Sequence, residues 1–207
     1  MIQLWGRMSS INVRKVVWAL QELGLPFQRT DAGMAFGVVN TPAYQAINPN
    51  ALVPTLQDGE LVLWESNVIV RYLCARHGAH TSLYPADLDQ RFDAERWMDW
   101  QQTTLNRASG GAFVQWVRTP AEQRQSSVIA QSVSATEPLL DLLDQHLAHR
   151  QWMQGDHFTM ADIPLGCEAH RWLNLPQPHP HWPHLERWYA AILTRPATHG
   201  VLDQPLA

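Results

Sequence analysis

Ser10 stands where a short strand-like segment, Ile2 to Trp5, gives way to a helical pattern, within Gly6-Arg7-Met8-Ser9-Ser10-Ile11-Asn12-Val13-Arg14-Lys15. At such a junction the unpaired backbone N–H groups and the positive end of the helix dipole favour an anion. A thiolate would be stabilised there. Ser9 or Ser10 can also act simply as the helix cap, and the two roles are compatible. A serine nucleophile is disfavoured, because no Gly-x-Ser-x-Gly elbow surrounds it and no Asp/His pair is placed by a sequence signal.

Two further segments carry recognition chemistry. In Asn48-Pro49-Asn50-Ala51-Leu52-Val53-Pro54-Thr55-Leu56 a proline precedes a strand. Such a proline removes one ladder donor and suits a turn or a cis peptide that offers the Val53 N–H and C=O to an extended ligand. In Leu63-Trp64-Glu65-Ser66-Asn67-Val68-Ile69, Ser66 falls at the start of another helix. Its hydroxyl and the neighbouring N–H groups can receive a carboxylate while Glu65 holds an ammonium, which suits an amino-acid headgroup. The plainer alternative makes Ser66 an N-cap and Glu65 a solvated acid of the first turn.

The elements that must position these residues fall into two parts. In the first, Val13, Val16, Val17, Leu20 and Leu23 recur at helical spacing before the stop Gly24-Leu25-Pro26. Phe27 to Thr30 reads as a second strand, Pro42 to Ile47 as a short helix, and Thr55 to Gln57 with Leu61 to Trp64 as a hairpin joined by Asp58-Gly59. A helix from about Asn67 to His77 completes the order βαβαββα. Beyond residue 88 no strand is convincing. Helical stretches are expected over 88–118, 121–149, 160–173 and 184–194, with Pro120 breaking the first and Pro138 interrupting the second. The boundaries expected are an α/β domain over 1–78, a linker over 79–87 and an all-helical domain over 88–207.

Composition excludes several classes. The chain has 207 residues, 45% of them hydrophobic and 16% charged, which is ample for globular cores and excludes overall disorder. A net charge of −4 disfavours nucleic-acid binding. No apolar run approaches the roughly 18 residues of a membrane span, and no signal peptide is evident, so a soluble cytoplasmic protein without membrane partners is expected. Cys74 and Cys167 are far apart and form no CxxC pair, so neither a disulfide framework nor a zinc site is suggested. The histidines of the Pro/His loop, His179, His181 and His184, lack acidic or Cys partners, so no metal is expected there. His146 and His149 are expected at the surface.

Taken together, these segments resemble the cytosolic glutathione S-transferase family over essentially the whole chain. Ser10-Ile11-Asn12-Val13-Arg14 is similar to the Ser-x-Pro-x-Arg start of Ser-type bacterial and theta/delta-like members, with Asn12 in place of the proline. Nu-like members carry Thr-x-Asn-x-Arg, so Ser10 and Asn12 are candidates to share the contact with the sulfur. The resemblance implies a thioredoxin-like domain that binds glutathione as co-substrate through Ser9, Val53, Pro54, Glu65 and Ser66. Pro54 would be cis, Glu65-Ser66 would hold the γ-glutamyl group, and the helical domain would wall the site of the second substrate. It also implies a homodimer. Asp156-His157-Phe158-Thr159-Met160-Ala161-Asp162-Ile163 matches a further family element, a capping-box-like start with Phe158 and Ile163 as a hydrophobic staple.

Where the family's loop often carries a basic residue, Ala51-Leu52 offers no side-chain donor, so the anchor of the glycyl carboxylate is open, with Asn40 and Gln45 as candidates. By resemblance, the helix carrying Trp97, Trp100, Thr104 and Arg107 borders the cleft, and the expected second substrate is a small apolar electrophile. Trp97 and Trp100 are read more simply as core. The competing functions are a glutathione-dependent disulfide reductase, which a buried Cys74 does not favour, and a non-catalytic glutathione-binding or dimerisation module.

Overall fold

The computed structural model describes all of residues 1–207. Strands β1 (Ile2–Trp5), β2 (Phe27–Thr30), β3 (Thr55–Asp58) and β4 (Leu61–Trp64) form one sheet in the order β2-β1-β3-β4. β1 runs parallel to β2 through Ile2↔Phe27, whereas β3 is antiparallel to both β1 and β4. The parallel pair requires a crossover, and α1 (Ile11–Glu22) supplies it. The antiparallel pair needs only the tight turn at Asp58-Gly59, where Gly59 has φ 62°. Helix α2 (Pro42–Ile47) starts with Pro42 at its first position and Thr41 Oγ1 accepting from the Tyr44 N–H, and α3 (Ser66–His77) follows β4.

Residues 88–118 form one long rod, but it is not uniform. α4 (Leu88–Trp100) and α5 (Asn106–Phe113) are each followed by a wide π-helical turn, Gln101–Leu105 and Val114–Arg118. An extra residue in each wide turn rotates every later side chain relative to an unbroken 3.6-residue count. The remaining helices are α6 (Ser126–Leu147), which carries Pro138 within it, α7 (Asp162–Leu173) and α8 (Pro183–Leu193). No helix is long and apolar enough to cross a membrane.

One buried core runs through both parts, from Ile2, Leu4 and Val16 to Leu143, Trp172 and Ile192. At its centre α1 lies against α7. Gly166 of α7 allows the close approach, since a Cβ there would come within 2.8 Å of the Trp18 ring and 2.9 Å of Ile192. At its far end α1 is also tied to the segment after α8 (Pro183–Leu193): Glu22 accepts from Trp18 Nε1 at 2.8 Å and from a two-pronged Arg195 at 2.7 Å.

The start of α7 departs from a simple capping box. Asp162 is fully buried, and its carboxylate accepts from the N–H groups of Thr159 (2.8 Å) and Met153 (2.9 Å) and from Trp188 Nε1 (2.8 Å). It therefore ties three segments, not one helix end. His146 is not a surface residue as expected: it is half-buried, 4.4 Å from the Trp97 ring centroid, with a ring nitrogen 3.0 Å from the Met153 carbonyl. The imidazole, on α6, packs at a tilt against the indole of Trp97 on α4.

Candidate functional site

The loop before β3 is built from its own asparagines. Asn48, almost fully buried, donates from Nδ2 to the Leu52 carbonyl and to Thr55 Oγ1, both at 2.9 Å, and accepts from the Asn50 N–H at 3.1 Å. Tyr44 donates to the same Leu52 carbonyl at 2.6 Å. These bonds hold Leu52-Val53-Pro54 at the sheet edge, with the Val53–Pro54 peptide cis.

Four residues singled out from the sequence, Val53, Pro54, Glu65 and Ser66, line one cavity of about 150 Å³ together with Asn12. Glu65 has φ 71° and ψ 106°, a conformation costly for a residue with a Cβ, and strain of this kind concentrates at ligand sites. Ser66 is the first residue of α3, not its cap: Glu65 takes the cap position, and Ser66 Oγ donates to Asn12 Oδ1 at 3.2 Å. The Ser66 N–H lies outside the helical ladder at that position. Sequence reasoning assigned no role to Asn50, Trp64 and Gln102, which line the same cavity with Asn48 and Leu52. Gln102 comes from the wide turn after α4, where no periodic signal marks it. Its Oε1 accepts from the buried Lys15 Nζ at 2.9 Å. Burial lowers the Lys15 pKa to about 8, against the pull of the nearby Glu168 carboxylate.

A second cavity of about 290 Å³ lies on the other side of Asn12, which lines both. Ser10 lines this second space; it is the N-cap of α1 by backbone, yet its hydroxyl makes no capping bond. The hydroxyl is thus free of the structural duty that the plainer reading gave it. Ser9 is elsewhere, in a cleft with Ile11, Arg14 and the C-terminal Leu206 and Ala207, so the expectation that it lines the same cavity as Val53 and Ser66 is not met. Side chains one position apart at a helix start point in different directions. Asn40 and Gln45, the candidates for the glycyl carboxylate, line neither cavity.

The helical wall also differs from expectation. Asn106, Gly110, Phe113, Val114 and Arg118 face the second cavity, and Arg107 faces a groove against α6 instead; Trp97 is buried in the core, edge-on to Trp100 at 5.2 Å, in line with its simpler reading. The wide turn at Gln101–Leu105 precedes Arg107 and accounts for its shift. The cavity that an apolar second substrate was expected to fill is lined by charge: Arg7, Arg118 and Arg171 stand around Phe113.

Residues 9–76 match the family model for the glutathione S-transferase N-terminal domain, and residues 109–196 match that for the C-terminal domain. The chain belongs to the glutathione S-transferase family. It is 41% identical to glutathione S-transferase GstB of Escherichia coli (strain K12), over 100% of both chains. Glutathione S-transferase theta-1 of Homo sapiens is 28% identical over 78% of this chain and 69% of its own. The crystal structure of the theta class glutathione S-transferase from Xanthomonas axonopodis pv. citri, with glutathione bound, superposes with a TM-score of 0.95 at 43% identity, covering 100% of this chain and 99% of that one. The four-stranded mixed sheet with its helices and the all-helical remainder are thus the glutathione S-transferase fold. In this transferase the cysteines are remote from thiol chemistry: burial pushes both Cys74 and Cys167 up to about 12.

Proposed function

We propose that this glutathione S-transferase binds glutathione in the smaller cavity and ionises its thiol beside Ser10 and Asn12 for attack on a small electrophile in the larger one. One observation carries the reading: Asn12 lines both cavities, so a sulfur at their boundary is within reach of both reactants' sites. The extended tripeptide pairs with the Val53 backbone beside Pro54, and its γ-glutamyl ammonium and carboxylate meet Glu65 and Ser66.

A free thiol titrates near 8.5, so the thiolate is a minority species at neutral pH. Each unit of lowered pKa corresponds to about 1.4 kcal/mol, within the range of one or two charge-assisted hydrogen bonds. Because Asn12 Oδ1 already accepts from Ser66, its amide N–H groups are the end left to donate. The Ser10 hydroxyl and the open first turn of α1 add to the same field.

Retention on immobilised glutathione followed by a chlorodinitrobenzene assay tests the reading. Retention with turnover supports it; retention without turnover leaves a binding module, and neither result leaves only the scaffold. Ser10→Ala is expected to keep glutathione affinity within a few-fold while lowering kcat and raising the kinetic pKa.

The homodimer is supported by exposed apolar side chains one turn apart on α4, Leu88 at 59% and Phe92 at 64% exposure. Sedimentation velocity should show a dimer at micromolar concentration, converted to monomer by Phe92→Asp. A wild-type monomer would overturn this part.

A further inference from the structure

The larger cavity gathers positive charge that the protein does not neutralise. Arg171 is paired: its Nη2 lies 2.5 Å from Glu168 Oε1 and 2.8 Å from Asn106 Oδ1. Arg7 and Arg118 form no ion pair, and no Asp or Glu lines the cavity. Arg7 Nε is buried without a hydrogen-bond partner, an arrangement that costs free energy unless something arrives to accept from it.

The cluster is also held in place. Gly33 leaves the space that Arg7 occupies, since a Cβ there would lie 2.8 Å from Arg7 Nη1. Arg118 and Arg171 flank the Phe113 ring, with guanidinium carbons 4.8 and 5.0 Å from its centroid. The aromatic face thus positions both cations. Burial, and then the charges of Arg7 and Arg171, lower the Arg118 pKa, as expected where like charges share a low-dielectric wall.

Resting on the proposed thiol transfer, we propose that the second substrate carries a carboxylate, held by Arg7 and Arg118, on an apolar body that lies against Phe113. Guanidinium forks match carboxylates, and a cavity lined by one sign of charge concentrates ligands of the opposite sign. The reacting carbon then lies on the Ser10–Asn12 side. For an aryl chloride the balance is simple. The thiolate sulfur forms the new C–S bond, the C–Cl bond breaks, chloride leaves with the bonding pair, and the thiol proton goes to solvent.

The test compares chlorodinitrobenzene with its ring carboxylate, chlorodinitrobenzoate, each kcat/KM divided by the uncatalysed rate with glutathione. Wild type is expected to favour the carboxylate by about tenfold or more, the scale of a charge-assisted hydrogen bond. Arg7→Gln and Arg118→Gln should each remove most of that preference, and added salt should shrink it. Binding of unreactive dinitrobenzoate, followed by calorimetry, should weaken in the same variants. Equal preference in wild type, a preference that survives both substitutions, or variants that raise the KM for glutathione instead would overturn the proposal. If neither chloride is turned over, the thiol-transfer reading fails by itself. Dinitrobenzoate binding then decides the anion site: dependence on both arginines supports it, and independence overturns it.

Discussion

Ser66 Oγ donates to Asn12 Oδ1 across 3.2 Å and so joins the first turn of α3 to the first turn of α1. The residue assigned to the γ-glutamyl group therefore also orients the residue assigned to the sulfur. In the proposed reading, binding of one end of glutathione and activation of its middle would share this single hydrogen bond.

This coupling predicts a graded series. Asn12→Ala removes the amide donor and should lower kcat/KM about tenfold or more, the scale of a hydrogen bond to a charged group. Asn12→Asp should be worse, because a carboxylate beside the thiolate raises the pKa of the thiol. Ser66→Ala should raise the KM for glutathione and also shift the kinetic pKa upward. A pH–rate profile of kcat for each variant checks the series, and an unmoved profile in Asn12→Ala would return the role to Ser10 and the backbone.

The start of α7 predicts unequal losses. Thr159→Ala should cost about 0.5–2 kcal/mol, as for a lost cap. Asp162→Ala strands the Met153, Thr159 and Trp188 donors together, so its cost should be larger, about 3 kcal/mol or more. Urea denaturation of both variants measures the order.

Stability should also respond to acid through His170. Burial, with the Arg14 charge beside it, lowers its pKa to about 4, and a ring nitrogen lies 2.7 Å from the Tyr189 hydroxyl. The unfolded chain, titrating near 6.5, binds more protons across the window between these values. His170 therefore adds stability that is present above about pH 6.5 and lost as pH falls toward 4. Asp162 works in the opposite sense: burial raises its pKa to about 6, so its contribution declines as pH rises through that value. Comparing Tm at pH 7 and pH 5, His170→Gln should show a smaller acid loss than wild type.

Much of the α/β half was legible because local signals mark its elements: Asp58-Gly59 for the hairpin, the Gly24-Leu25-Pro26 stop, and Pro42 at the start of α2. The order of elements and the grouping of Val53, Pro54, Glu65 and Ser66 follow from those signals plus a family resemblance. The exchange of roles between Glu65 and Ser66 was not legible, since it depends on a left-handed backbone at a non-glycine residue. Nor was the second cavity. Arg7, Arg118 and Arg171 are distant in the chain, and a wide turn with no residue signature decides that the side of the long rod carrying Arg118 meets the other two.

The close approach of Trp18 to Gly166 constrains how the two halves of the chain can be recombined. Helix α1, which carries Asn12 on one end, is fitted along its length to a helix encoded some 150 residues later. The two halves are therefore poor candidates for shuffling between family members. A chimera that takes its α/β half from one parent and its helical half from another inherits a mismatched seam unless α1 and α7 travel together.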